Sequence, residues 1–440
     1  MTSRRPHLLY TAWGFPPSRA GGVYRALATV NAFARKGWDV TVLTVPRSLF
    51  VDSTGGDLEL EKRVHPGVVV ERVPVATPAF ESGIDTWPRM RARVPEVWAA
   101  LDWRHDLVRF PERAYGRWRL ALERAARDVH ARHRVDLAIG TANPNVDFIP
   151  GAFLHRHAGV PYIMDYRDAW RLDVFSGRTL HRPASRAGRW ERRLQRDASE
   201  VWFVNEAIRQ WHDAAAPSIA AKTRVVANGY EEYDAQLAVP VRADRERQLV
   251  FGYIGTVSTQ VPIDALIAGW RLARSRDERI ATARLVIHGY SGHFGANGGS
   301  FGALGDGGDG IEFAGPVSKA TIGQVYAGFD ALILALGSGR YVTSGKVYEY
   351  AATGVPVISV HDPGNAATEV LADSPAWVGA RSLAAVDVAD AIIAGAALAL
   401  RQTGAQRAEA QKWASRYARS RQLDPRIDQL REIVDGREAG

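Results

Sequence analysis

The chain has 440 residues and a formal net charge of +8, with 24% charged and 46% hydrophobic residues, which suits two or three ordinary globular domains. It contains no cysteine, which excludes disulfides, thiolate metal sites and cysteine nucleophiles. No stretch of about 18 uninterrupted apolar residues offers a transmembrane helix. Met1–Tyr10 reaches its apolar run at once, so it reads as a first strand and the expected location is cytoplasmic. The excess cations are almost all arginine, and no nucleic-acid motif accompanies them.

Pro6 to Thr11 reads as a short strand, followed by a turn with Gly21-Gly22, a helix to about Arg35 and a second strand from Trp38 to Val45. Strand, glycine turn, helix and strand within some 40 residues is a Rossmann-like βαβ unit. The glycines do not form Gly-x-Gly-x-x-Gly, which disfavours a dehydrogenase; paired glycines at a helix start still let backbone approach a ligand. Val68–Val75 is a third strand. Two helices are expected at about Pro95–Phe110 and Glu112–His133. The first places Val97, Trp98, Leu101 and Val108 on one face, and twelve arginines fall between Arg89 and Arg134. A core stripe backed by a solvated face is the expected reading, and a peripheral contact with an anionic membrane is the alternative.

Val135–Gly140 is a strand, and Asn143 lies in the loop at its C-terminal end, where open α/β sheets bind ligands. Pro161–Met164 is another strand, leading into Asp165-Tyr166-Arg167-Asp168-Ala169-Trp170. Two carboxylates bracketing a guanidinium at a strand exit can order one another and face a reacting group, or form only an ion-paired corner. A helix over Arg182–Asp197 and a strand at Glu200–Val204 follow, and the polar Tyr233–Gln248 stretch is read as a linker.

The second half repeats the pattern. Leu249–Ile254 is a strand, and Gly255-Thr256-Val257-Ser258-Thr259-Gln260 is a loop sized for phosphate. Arg284–His288 is a strand that leads to Gly289-Tyr290. Ten glycines fall between Gly289 and Gly310, a stretch read either as a lid or as an idle insertion. Ile311–Gly315 and Ala331–Leu336 are further strands, and the tail from about Leu383 is helical.

The most informative stretch is Arg340–Val360, RYVTSGKVYEYAATGVPVISV. Ser344 is an N-cap candidate, Gly354 a left-handed stop, and Val355–Val360 a buried strand. A helix start attracts anions, and Lys346 adds a point charge two residues past the cap. Glu349, nearly one turn later, can take two adjacent sugar hydroxyls. Phosphate beside sugar hydroxyls describes a nucleoside diphosphate.

Ser344-Gly345-Lys346-Val347-Tyr348-Glu349-Tyr350, followed by Gly354-Val355-Pro356-Val357, resembles the nucleotide-sugar motif of GT-B glycosyltransferases of family 4. Asp-x-Arg-Asp-x-Trp after Gly-x-Pro is similar to a family subgroup of cell-envelope sugar transferases. The resemblance implies an α/β fold of two Rossmann-like domains facing a cleft: residues 1–235 for the acceptor, 249–405 for the donor, and 406–440 crossing back to the first. It implies a retaining glycosyltransferase of the hexosyl type, moving a sugar from a nucleotide-diphosphate donor to a glycan, lipid-linked or small-molecule acceptor. Donor contacts would come from Gly21, Gly22, Gly255, Thr256, His288, Gly289, Tyr290, Arg340, Ser344, Gly345, Lys346 and Glu349. Asn143, Asp165, Arg167 and Asp168 would serve the reacting sugar or the acceptor.

Two departures stand out. The family's Glu-x7-Glu pattern has Tyr341 at its first position, and the family's histidine is missing from the two N-domain loops. These leave open an inactive nucleotide-sugar binder, with a nucleotide-sugar 2-epimerase as a further alternative. The chain has no Asp-x-Asp, so no cofactor or metal is expected.

Overall fold

The computed structural model describes residues 4–53, 55–75, 83–231, 239–241, 248–255, 261–289, 309–317, 321–337 and 339–438. The chain divides into two compact units. The first holds residues 1–173, 178–227 and 422–440, and the second holds 174–177 and 228–421. The division thus falls at Ala227 instead of near 235, and residues 406–421 belong to the second unit instead of the C-terminal segment. The linker read at Tyr233–Gln248 and most of the glycine-rich stretch lie outside the described residues.

The first unit is built on seven parallel strands in the order β3-β2-β1-β4-β5-β6-β7. They are β1 (His7–Thr11), β2 (Asp39–Thr44), β3 (Val68–Arg72), β4 (Leu137–Ala142), β5 (Tyr162–Tyr166), β6 (Glu200–Phe203) and β7 (Thr223–Val225). β1, β4, β5 and β6 are buried along their whole length, as expected of a parallel sheet covered on both faces. The strand order reverses between β1 and β4, so the loops after those strands open a crevice at the C-terminal edge. Helix α1 (Val23–Arg35) follows the Gly21-Gly22 turn and stops at Gly37, whose φ of 79° is left-handed.

Helices α2 (Arg89–Arg93), α3 (Pro95–Arg109) and α4 (Gly116–Arg132) connect β3 to β4, and α5 (Arg186–Asp197) precedes β6. Here the structure corrects the expected core stripe. Val97, Leu101 and Val108 of α3 are 55%, 54% and 62% exposed. Trp118, Leu122, Ala126 and Val129 of α4 supply the buried face instead.

The second unit has six parallel strands in the order β10-β9-β8-β11-β12-β13. They are β8 (Val250–Ile254), β9 (Arg284–His288), β10 (Ile311–Phe313), β11 (Ala331–Ala335), β12 (Val357–Val360) and β13 (Trp377–Gly379). The order reverses between β8 and β11. Helices α6 (Ile263–Arg276) and α8 (Ala385–Arg401) pack beside this sheet. Gly269 of α6 admits α8, because a Cβ there would lie 2.3 Å from a Val388 methyl. Between β11 and β12, α7 (Gly345–Thr353) is capped by the Ser344 hydroxyl and stopped by Gly354 at φ 69°. The terminal helix α9 (Arg419–Glu438) carries the chain into the first unit, where Leu423, Ile427, Leu430 and Val434 join the core of Leu8, Phe33 and Trp38.

Candidate nucleotide-sugar site and the loops of the first unit

In the second unit the candidate residues converge at the C-terminal edge, beside the switch between β8 and β11. Tyr350 anchors α7 to the end of β8: its hydroxyl accepts from the Ile254 N–H at 2.9 Å and donates to the Ile254 carbonyl at 3.1 Å. That anchor sets the first turn of α7 against Gly255. The Lys346 Nζ occupies the space a Gly255 side chain would need, 1.6 Å from where a Cβ would stand. Gly289 is pressed the same way, since its Cβ would lie 1.8 Å from the Gly255 carbonyl oxygen. The Gly255 N–H in turn donates to the His288 carbonyl at 2.8 Å. Both glycines are therefore required by close backbone and side-chain approach.

Lys346 also lies over the Tyr253 ring, 5.2 Å from its centroid. Burial pulls its ammonium down to about 8, and the attraction of Glu349 acts against that shift. A partly buried cation at a capped helix start is suited to an arriving phosphate. Ser344 caps the helix through a bond from the Lys346 N–H to Oγ at 3.4 Å, and Gly345 has open space where a Cβ would be. Glu349 is partly buried one turn on, and His288 ends β9 with Nδ1 3.2 Å from the Gly315 carbonyl oxygen. Arg340 is exposed in the loop before α7. Thr256 and Tyr290 lie outside the described residues.

In the first unit, Gly22 stands at the start of α1, and the Arg167 guanidinium fills the space beside it, 1.1 Å from where a Cβ would be. Gly21 beside it is exposed. Arg167 donates from Nε to the Ala142 carbonyl at 2.6 Å and from Nη2 to the Asn143 carbonyl at 2.7 Å. Asn143 donates from Nδ2 to Asp168 at 3.1 Å. Burial raises the Asp168 carboxyl above its usual range, with Arg167 pulling the other way. Asn143, Arg167 and Asp168 thus form one polar corner where β4 and β5 end.

Asp165 is not part of that corner. It lies inside β5, fully buried, and accepts from Arg25 at 2.5–3.1 Å and from the Thr141 hydroxyl at 3.0 Å. The expected pairing of Arg167 with flanking carboxylates is replaced by carbonyl contacts. Asp165 can position the loop but has no face left for a substrate.

Three residues that sequence reasoning did not single out shape these sites: Arg25, Tyr253 and Glu112. Glu112 accepts from the Asn145 N–H at 2.9 Å and from its side-chain amide at 3.2 Å. Burial pushes its carboxyl up to about 7. Next to it, the fully buried Asp147 accepts from the Trp13 N–H at 2.7 Å and is also raised well above the usual range by burial. Two carboxyls thus sit beneath the loop that carries Asn143.

Residues 248–397 match the family model described as Glycosyl transferases group 1, a segment that contains the whole Gly255–Lys346–Glu349 arrangement. No curated protein matches the chain by sequence. Solved structures match over nearly all of it. A glycosyltransferase from Rickettsia africae superposes with a TM-score of 0.65 at 12% identity, covering 98% of this chain and 99% of that one. Sucrose-phosphate synthase from Thermosynechococcus elongatus gives 0.63 at 17% identity, covering 98% and 100%. HepE of Anabaena, solved with UDP and glucose, gives 0.60 at 16% identity, covering 96% and 98%. Together with the two parallel sheets, these likenesses define the fold as the two-domain α/β fold of GT-B glycosyltransferases.

Proposed function

We propose that the protein is a family 4-like glycosyltransferase that moves a hexosyl group from a nucleoside-diphosphate sugar to an acceptor hydroxyl, with retention at the anomeric carbon. The observation that carries this reading is the Lys346 ammonium seated against Gly255 at the capped start of α7, inside the segment that matches the group 1 model. A diphosphate placed there meets a cation and a helix dipole, and Glu349 stands one turn along for the ribose hydroxyls. The UDP in HepE makes uracil the first base to test.

In the proposed reaction the C1–O bond to the diphosphate breaks while an acceptor oxygen bonds to C1 on the same face. The acceptor proton passes to the departing phosphate oxygen. Charge builds on that phosphate, and Lys346 with the α7 N-terminus stabilises it without a metal. The first unit supplies the acceptor loops, with Asn143, Arg167 and Asp168 as the contacting residues and Asp165 as their support.

The test is a thermal-shift screen across UDP-, GDP-, dTDP- and ADP-sugars, followed by product analysis with the sugar that shifts most. Transfer to a glycan, lipid-linked or small acceptor with retained configuration is expected. Free nucleotide with an altered sugar would instead identify an epimerase, and stabilisation without any turnover would identify a binder.

A further inference from the structure

We infer that the face formed by α2 and α3 docks on an anionic lipid bilayer. Val97, Leu101, Arg104 and Val108 recur at helical spacing on one side of α3, and all four are exposed. Met90 and Val94, 44% exposed each, extend the apolar surface around them. Scattered single apolar residues are ordinary on a protein surface, but a run along one helix marks a contact.

The charges choose the occupant. Arg89, Arg93 and Arg104 stand exposed around the stripe. Two of the three acids of α3 are turned away from it: Asp102 takes the Arg117 guanidinium, and the buried Asp106 accepts the Arg117 N–H at 2.9 Å. Beyond the end of α3, Arg186 donates to the Val108 carbonyl and brings exposed Arg182 and Arg189 alongside. Apolar residues ringed by arginine match an anionic interface, in which the side chains enter the acyl boundary and the guanidinia meet phosphates. A second copy of the same face would instead bring arginine against arginine. Phe110, just past α3, stacks on Trp170 at 5.5 Å, which joins this face to the loop bearing Asp168.

The experiment is co-sedimentation of the full-length protein with vesicles of phosphatidylcholine alone and of phosphatidylcholine with phosphatidylglycerol. It requires no turnover, so its outcome is independent of the transferase reading. Binding to the anionic vesicles that weakens as salt rises is expected. V97S together with L101S should reduce it about tenfold or more with an unchanged melting temperature, since both side chains are exposed. R89Q with R93Q and R104Q should flatten the salt dependence. Equal partition to both vesicle types, or none to either, would overturn the inference. So would a concentration-dependent dimer that V97S/L101S dissolves in the absence of vesicle binding.

Discussion

The Arg25 guanidinium grips the Asp165 carboxylate with Nε and Nη2, at 2.5–3.1 Å, while its Nη1 donates to the Val226 carbonyl at 2.8 Å. Both side chains are almost wholly buried. One pair therefore ties α1, β5 and the segment after β7 together beneath the polar corner of Asn143, Arg167 and Asp168.

Breaking that pair from one side leaves a buried charge without its partner, at a cost of about 3–5 kcal/mol. We predict that R25A unfolds at markedly lower denaturant and D165N behaves similarly, in chemical denaturation followed by circular dichroism. An R25A protein as stable as the wild type would show that the pair is not structural.

Asp168 should behave in the opposite way. D168N keeps the size of the side chain but replaces the carboxylate that accepts from Asn143, so we predict a loss of turnover on the order of 100-fold from misplacement of the reacting groups. Donor affinity should be unchanged, so kcat and kcat/KM fall together. Melting temperature and kcat taken on one preparation decide it. A variant that melts several degrees lower yet turns over normally per folded molecule would move the chemistry to another residue, with Asn143 the next to test.

Lys346 gives a pH dependence with a defined sign. Its ammonium is held near 8, so below that value it is charged and meets diphosphate at full strength. As pH rises past 8 the free protein loses the charge, and diphosphate affinity should fall, while nucleoside affinity stays level. K346A should be weak and flat across the same range, and added salt should narrow its difference from wild type if the site is open to solvent. Equal losses for nucleoside and nucleoside diphosphate in K346A would reduce Lys346 to a residue that shapes the loop.

Glu112 predicts a pH effect on stability. Its folded value, about 7, lies above the ordinary 4.5, so the protonated form is favoured in the fold. The contribution is fully present below about 4.5 and is lost as pH rises through 7. It amounts to roughly 3 kcal/mol at most. E112Q should flatten this slope in melting curves taken between pH 5 and 8. An identical slope in variant and wild type would assign the titration elsewhere.

Most of the strand and helix order could be read from residues because each boundary has a local cause. Ser344 caps α7, Gly354 stops it in the left-handed region, and the apolar Val357–Val360 enters the sheet. Asp165 was harder to place. β5 runs on to Tyr166, so what looked like a strand exit lies inside the sheet, and its partner Arg25 is 140 positions upstream. The α3 stripe shows a related limit: periodicity tells which side chains share a face, not whether another element covers it. Glu112 and Tyr253 follow the same logic, since their surroundings are assembled from distant segments.

If α7 and the Gly255 turn hold a nucleoside-diphosphate sugar, isothermal calorimetry of E349A beside wild type will read the loss of that site. With the donor chosen by the thermal-shift screen, wild type should show saturable binding. E349A, folded by circular dichroism, should bind about 10- to 150-fold more weakly, the loss of charge-assisted bonds worth roughly 1.5–3 kcal/mol to the sugar hydroxyls. Unchanged affinity in a folded E349A would contradict the assignment.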